Sequence, residues 1–144
     1  MYARHFRERP AALETLSELK ARGYPLALIS MCAPDTPALW RARPLSAFVD
    51  VEVFSSEVGL RKPDPEIYLL ASEELGVEPS ACLYVGDGAY GELTGAANVG
   101  MHPVLIRDPS EPPDHALRPE SEDWDGDRIG SLGDVLAFLD GSRS

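Results

Sequence analysis

The stretch Cys82-Leu-Tyr-Val-Gly-Asp-Gly-Ala-Tyr-Gly-Glu-Leu-Thr-Gly-Ala-Ala-Asn-Val-Gly100 contains the pattern that decides the fold. It begins with a short apolar run, residues 82–85, which is typical of a strand buried on both faces. A glycine-rich turn follows, and the next residues predict a helix over 93–99 that is closed by Gly100. A strand, a tight turn and a helix in this order are the repeating unit of a parallel α/β sheet.

The same alternation extends on both sides of this stretch. Apolar runs predict strands at 26–30, 51–54 and 103–106, and helical spacing of apolar residues predicts helices at 10–22, 65–75 and from about residue 131 onward. Residues 107–127 interrupt the alternation with four prolines and eight acidic residues, and they predict a solvated connecting loop. We therefore predict one α/β domain over residues 1–144, with a mostly parallel sheet.

Charge and composition exclude several classes of partner. The chain has 144 residues, with 24 Asp and Glu against 13 Lys and Arg, which gives a formal net charge of −11. This balance argues against nucleic acid or an anionic membrane as the main partner. No apolar run is long enough to span a bilayer, and the basic N-terminus does not resemble a signal peptide. Two cysteines fifty residues apart, Cys32 and Cys82, suit a reducing compartment, so we expect a cytoplasmic protein.

Four polar residues lie at the ends of predicted strands or in the loops that follow them: Ser30, Lys62, Asp87 and Glu92. Each has an ordinary explanation as a turn residue, a surface charge, a helix cap or a favourable charge at a helix start. Ligands of parallel sheets, however, bind at the carboxyl ends of strands, so we expect all four to face one crevice. A hydroxyl, an ammonium and two carboxylates together suit a phosphate group and a hard divalent cation.

Three segments resemble, in order, the second, third and fourth motifs of the haloacid dehalogenase (HAD) superfamily of hydrolases. They are Leu26-Ala-Leu-Ile-Ser30, Val53-Phe-Ser-Ser-Glu-Val-Gly-Leu-Arg-Lys-Pro-Asp-Pro65 and Tyr84-Val-Gly-Asp-Gly-Ala-Tyr-Gly-Glu-Leu-Thr-Gly-Ala96. The likeness covers nearly the whole chain. It implies a three-layer, Rossmann-like parallel sheet and Mg²⁺-dependent hydrolysis of a small phosphorylated substrate.

The resemblance also assigns roles to residues. It implies that Ser30 and Lys62 bind the phosphoryl group, that Lys62 and Asp87 are catalytic, and that Asp87 and Glu92 hold Mg²⁺. Met31 departs from the family pattern, because many relatives have a polar residue there.

The largest departure concerns the first motif, an Asp-x-Asp pair whose first carboxylate attacks phosphorus in the family. No aspartate precedes Leu26, and the Asp-x-Asp pattern occurs only in the acidic loop, as at Asp125-Gly-Asp127. The first strand of the family is central in its sheet. Neither this strand nor most of the family's cap domain therefore has a counterpart in the 144 residues. We expect that the chain alone is inactive. The resemblance places the missing strand between the strands at 26–30 and 82–85, so we expect these two strands either to pair directly or to receive a strand from another chain, such as a second copy.

Two other functions stay open at this point. The chain could be a non-enzymatic, regulatory module that keeps a phosphate or metal site. Residues 86–91, Gly-Asp-Gly-Ala-Tyr-Gly, also match the dinucleotide-binding pattern, with Asp108 about twenty residues further on. That pattern alone is weak, since Asp87 within it would repel a pyrophosphate.

Overall fold

The structure, a computed structural model, describes residues 12–110 and 116–142. The described helices are α1 (Ala12–Ala21), α2 (Thr36–Arg41), α3 (Ser55–Val58), α4 (Pro65–Leu75), α5 (Glu92–Asn98) and α6 (Asp134–Ser142). The described strands are β1 (Ala27–Ser30), β2 (Val51–Phe54), β3 (Leu83–Gly86), β4 (His102–Ile106) and β5 (Asp127–Ile129). Short 3₁₀ turns span Pro44–Phe48, Pro79–Ala81 and Ala89–Gly91. The predicted strands and long helices are confirmed to within about two residues, although Pro10 lies outside the described residues.

The strands form two separate parallel sheets. β1 pairs with β2, from Ala27 opposite Val51 to Ser30 opposite Phe54. β3 pairs with β4, and β4 pairs with β5, both in parallel. β1 and β3 belong to different sheets, so the direct pairing that the sequence left open as one alternative does not occur in the described part of the chain.

Helices cover both faces of the strands, because side chains alternate between the faces along each strand. On one face, α4 and α5 pack on β1 to β4 through a core that includes Ile29, Val53, Ile67, Tyr84 and Leu93. On the other face, a second core combines residues of α1 and α6 with β4 and β5, namely Leu19, Val104, Ile106, Ile129 and Val135. The first core contains residues of both sheets, so the two sheets share one three-layer sandwich.

Some local expectations differ from the structure. The segment 107–127, predicted as a solvated connection, contains the start of β5 and packs on neighbouring turns at residues 118–121. Leu13 is one of the apolar residues whose spacing predicts the first helix, yet it is 43% exposed, whereas Thr15 is buried. The helices α2 and α3 are short and lack a clear apolar period, which is why the sequence did not predict them.

Among the residues that the structure describes, no helix combines the length and the apolar character that crossing a bilayer requires.

Candidate functional site

The turn between β3 and α5 places two carboxylates at the carboxyl end of β3. After Asp87, the backbone passes through left-handed conformations at Gly88, Tyr90 and Gly91, with φ of 92°, 61° and 65°. Glycine adopts such angles without steric cost, and a tyrosine does so rarely. The turn reverses the chain within a few residues, so Glu92 begins α5 and its side chain points back under the turn.

Glu92 is a hub for four hydrogen-bond donors. Its Oε1 accepts from Lys62 Nζ at 2.9 Å and from the Tyr84 hydroxyl at 2.6 Å. Its Oε2 accepts from the backbone N–H of Gly88 at 3.0 Å and of Ala89 at 3.2 Å. A carboxylate has about four lone-pair sites, so these donors use the acceptor capacity of Glu92.

Gly86 makes room for this arrangement. A Cβ at position 86 would lie 2.5 Å from the carboxyl carbon of Glu92. That distance is far inside van der Waals contact, so no residue larger than glycine fits without moving the carboxylate. The Glu92 carboxylate therefore lies directly against the backbone of β3.

Lys62 and Glu92 form a buried ion pair, with side chains only 6% and 5% exposed. The ammonium also lies 5.5 Å from the centre of the Tyr84 ring. The Tyr68 hydroxyl fixes the same turn from the α4 side by donating to the Glu92 backbone carbonyl at 2.9 Å. Removing water from both charges costs free energy. The attraction between them and the other partners of each group offset this cost.

The two carboxylates have opposite pKa shifts. Burial alone would raise the pKa of Glu92, but Lys62 and the hydrogen bonds from Tyr84 and other neighbours lower it to about 2. Burial raises the pKa of Asp87, and the charge of Glu92 adds to that rise, while Arg118 and the Ala89 N–H oppose it. Glu92 is thus stabilised in its charged form, whereas burial and the nearby charge of Glu92 disfavour the charged form of Asp87.

Asp87 contacts a guanidinium. Its Oδ2 accepts from Arg118 Nε at 3.1 Å, and its Oδ1 accepts from the Ala89 N–H at 3.2 Å. The side chains of Asp87 and Arg118 are 10% and 19% exposed, so the pair lies at the border of the protein interior. A cationic side chain therefore already lies on the carboxylate that the sequence predicts as a metal ligand.

Arg118 comes from a short segment, residues 118–121, which we call the strap. The Glu120 carboxylate accepts from the backbone N–H of Leu93 at 2.9 Å and of Thr94 at 3.0 Å, and from the Thr94 hydroxyl. These two amides lie in the first turn of α5 and have no partner within that helix, so Glu120 caps it from a distance in sequence. The Ser121 N–H donates to the Arg118 carbonyl at 3.0 Å, which closes the strap into a turn.

The strap lies tightly against the turn that carries Asp87. A Cβ at Gly88 would lie 3.0 Å from the Ser121 backbone nitrogen. Glu120 N–H also approaches the Gly88 carbonyl at 3.4 Å. Gly88 is thus constrained both by its left-handed backbone and by this close approach.

Of the four predicted site residues, the structure brings Lys62, Asp87 and Glu92 together. Ser30 is buried at the end of β1, one residue before Met31, and the Met31 sulfur accepts the backbone N–H of Lys62 at 3.2 Å. The end of β1 therefore lies beside the Lys62 segment.

The structure adds three residues that the sequence did not indicate: Tyr84, Arg118 and Glu120. Side chains alternate between the two faces of β3, and Tyr84 lies on the face that carries Glu92. The period of the strand could therefore have indicated Tyr84. Arg118 and Glu120 contact residues more than twenty-five positions earlier in the chain, and no local pattern reveals such contacts.

The described residues supply only part of a divalent metal site. Among them, no group of three or more His, Cys, Asp or Glu side chains lies close enough to hold a metal ion. Glu92 has its oxygens occupied by donors, so a direct bond from Glu92 to a cation does not fit this geometry. Asp87 fits better, because its hard oxygens lie at the border of the interior and already accept one cation.

Two parallel sheets in one sandwich, with a buried lysine and two carboxylates beyond the carboxyl ends of the strands, define an α/β protein whose charged residues gather where such folds bind ligands. A family model described as haloacid dehalogenase-like hydrolase matches residues 2–100. The chain belongs to this family of hydrolases.

Individual relatives agree with this assignment. The chain is 33% identical over 131 residues to (S)-2-haloacid dehalogenase 4A of Burkholderia cepacia, covering 90% of this chain and 54% of that protein. It is 33% identical over 142 residues to the phosphoserine phosphatase of Thermus thermophilus, covering 91% and 53%. The crystal structure of a HAD phosphatase from Thermococcus onnurineus superposes with a TM-score of 0.72 at 26% identity, covering 94% of this chain and 59% of that one. The chain thus spans about half the length of the curated relatives it matches.

Proposed function

We propose that this chain is the phosphate-binding and metal-binding half of a Mg²⁺-dependent phosphate-ester hydrolase. The observation that carries the proposal is the buried Lys62–Glu92 pair beside Asp87 at the carboxyl end of β3. A buried ammonium that is fixed by a carboxylate, a short distance from a second carboxylate, suits a dianionic phosphate and a hard cation. Phosphatases are also among the relatives.

In this proposal each residue has one task. Lys62 stabilises negative charge on the phosphoryl oxygens, and Glu92 orients its ammonium. The Ser30 hydroxyl, buried at the end of β1, donates a hydrogen bond to another phosphoryl oxygen. Asp87 supplies one oxygen ligand for Mg²⁺, which would neutralise phosphate charge when bound.

The attacking aspartate is proposed to come from a segment outside these 144 residues. No aspartate precedes Leu26, and β1 and β3 lie in separate sheets. Within residues 12–110 and 116–142, no strand pairs with the second edge of β1 or of β3. A strand between them would satisfy these edges and would end beside Ser30 and Asp87. That strand would belong either to a longer form of this protein or to a partner chain, including a second copy.

The test is an assay of the purified chain with Mg²⁺ and 4-nitrophenyl phosphate, together with calorimetry of inorganic phosphate. We expect no turnover, but Mg²⁺-dependent phosphate binding that Ser30→Ala weakens and Asp87→Asn abolishes. Asp35→Asn is the control for a relocated nucleophile, since Asp35 is the acid nearest to Ser30 along the chain. Mg²⁺-dependent turnover that Asp35→Asn removes would overturn the assignment of the nucleophile to an outside segment.

A second experiment separates the hydrolase from a regulatory module, because both predict phosphate binding without turnover in this assay. Sequencing upstream of the Met1 codon tests the proposal directly, since an in-frame Asp-x-Asp segment there supports the hydrolase. Phosphate that fails to bind at any Mg²⁺ concentration would contradict both the hydrolase and a phosphate-binding module.

A further inference from the structure

The geometry around Asp87 points to a second role for the strap. We infer that Arg118 competes with the divalent cation for Asp87, so that the strap sets the affinity of the crevice for metal. The inference rests on the proposed function, in which Asp87 is a metal ligand. It concerns a residue that lies outside the three motifs and that the resemblance leaves without a role.

The first support is the position of the guanidinium. Arg118 Nε donates to Oδ2 of Asp87 at 3.1 Å, in a pair that is largely shielded from water. Each oxygen of Asp87 accepts one of these hydrogen bonds, so a cation that binds the same carboxylate lies close to the guanidinium and the two positive charges repel each other. Binding of metal at Asp87 is therefore opposed while Arg118 stays in place.

The second support is the way the strap is held. Glu120 accepts three hydrogen bonds from the first turn of α5, and Ser121, which is 1% exposed, closes the turn at Arg118. Arg118 thus comes from an anchored backbone and not from a freely moving loop tip. An anchored backbone lowers the entropy cost of holding the guanidinium on Asp87, which strengthens the competition.

The third support is charge. Lys62 pairs with Glu92, whereas Arg118 pairs with Asp87 at 3.1 Å. A divalent ion bound to Asp87 would therefore lie beside the positive charge of Arg118, in a place where little water screens the repulsion.

The experiment measures Mg²⁺ binding to the full 144-residue chain by calorimetry, with Mg²⁺ alone as the probe. We expect Arg118→Ala to bind Mg²⁺ at least about tenfold more tightly than the unchanged chain, because it removes a charge-assisted hydrogen bond that competes with the ion. The matched control is Arg107→Ala, which removes the same charge from the same region. Arg107 pairs with Glu122 at 3.2 Å, so its removal should change the affinity by less than about twofold.

Two further measurements guard against a misfolded variant. Glu120→Ala leaves Arg118 in place but removes the anchor, and it should tighten Mg²⁺ binding in the same direction. In the unchanged chain, the Arg118 Nε–H resonance should shift during a Mg²⁺ titration with the midpoint that calorimetry gives.

The outcomes separate the inference from the proposed function. Equal Mg²⁺ affinity in the unchanged chain and in Arg118→Ala, with binding lost in Asp87→Asn, would overturn the competition but keep Asp87 as ligand. Mg²⁺ binding that survives Asp87→Asn would show that the metal lies elsewhere and would overturn both. Absence of Mg²⁺ binding in every variant would also overturn both.

Discussion

Asp87 and Glu92 lie five residues apart on one turn, yet their surroundings differ in kind. Glu92 is enclosed by donors from a lysine, a tyrosine and two backbone amides, and its pKa falls to about 2. Asp87 has one guanidinium from a distant loop and one amide, and its pKa rises. A carboxylate whose donors all come from the surrounding fold holds the structure together. Asp87 accepts fewer hydrogen bonds and lies nearer to the surface, so in the proposed function it is the carboxylate that takes a ligand.

The largest effect should come from breaking the Glu92 side of this comparison. Lys62→Met leaves the Glu92 carboxylate buried without its counter-charge, and we expect a loss of roughly 3–5 kcal/mol in the free energy of unfolding. Urea unfolding measures it. Lys20→Met is the control, because the Lys20–Asp50 pair is exposed and should cost about 1 kcal/mol or less. Equal losses in the two variants would show that burial of the pair does not matter.

The pH dependence tests the same carboxylate. Glu92 has a folded-state pKa of about 2 against an ordinary value of 4.5, so its charge stabilises the fold above pH 4.5. This stabilisation declines as the pH falls through that window toward 2. Glu92→Gln should therefore unfold more readily near neutrality and show a shallower loss of stability in acid, as urea midpoints at a series of pH values would record. A slope in acid identical to that of the unchanged chain would assign the acid sensitivity to other carboxylates.

Gly88 tests how firmly the strap holds the Asp87 side. Gly88→Ala places a Cβ against Ser121 and also strains a left-handed backbone, whereas Gly100 has a similar φ of +95° with nothing within 4 Å of a Cβ. We expect Gly88→Ala to lose about 1–2 kcal/mol more than Gly100→Ala, because strain is common to both and only the first meets the strap. Thermal or urea unfolding of the two variants gives the difference. Matching losses would mean that the strap moves aside at little cost.

The smallest effect belongs to Asp87 itself. Asp87→Asn removes a carboxylate whose charged form is disfavoured by burial, and an amide oxygen remains to accept from Arg118. We expect a change of less than about 1 kcal/mol in the free energy of unfolding, far less than for Lys62→Met. Urea unfolding at neutral pH checks this. A loss as large as that of Lys62→Met would make Asp87 a structural residue and remove the contrast between the two carboxylates.

Much of the architecture was predictable from the sequence because its signals are local. The apolar run before Asp87, the left-handed glycines and the bounds of α4 depend on neighbours within a few residues. Lys62, Asp87 and Glu92 were predictable as a group because each follows a strand, and strand ends converge on one edge of a parallel sheet.

What the sequence did not predict depends on contacts between distant segments. The prolines and charges of the acidic loop lack any period, so the sequence predicts a solvated connection there. Its Glu120, however, satisfies the amides at the start of α5, and its Arg118 pairs with the half-buried carboxylate of Asp87. Such matches join positions 87–94 with 118–121, and only the folded chain brings them together.

The cap that Glu120 places on α5 also has a consequence for the motions of the chain. Amides in the first turn of a helix normally exchange their hydrogens with water almost freely, because they have no partner within the helix. Those of Leu93 and Thr94 are bonded to Glu120, so they exchange only when the strap lifts. The exchange rates of these two amides therefore report how often the strap moves away from α5, and they can be measured with or without a bound ligand.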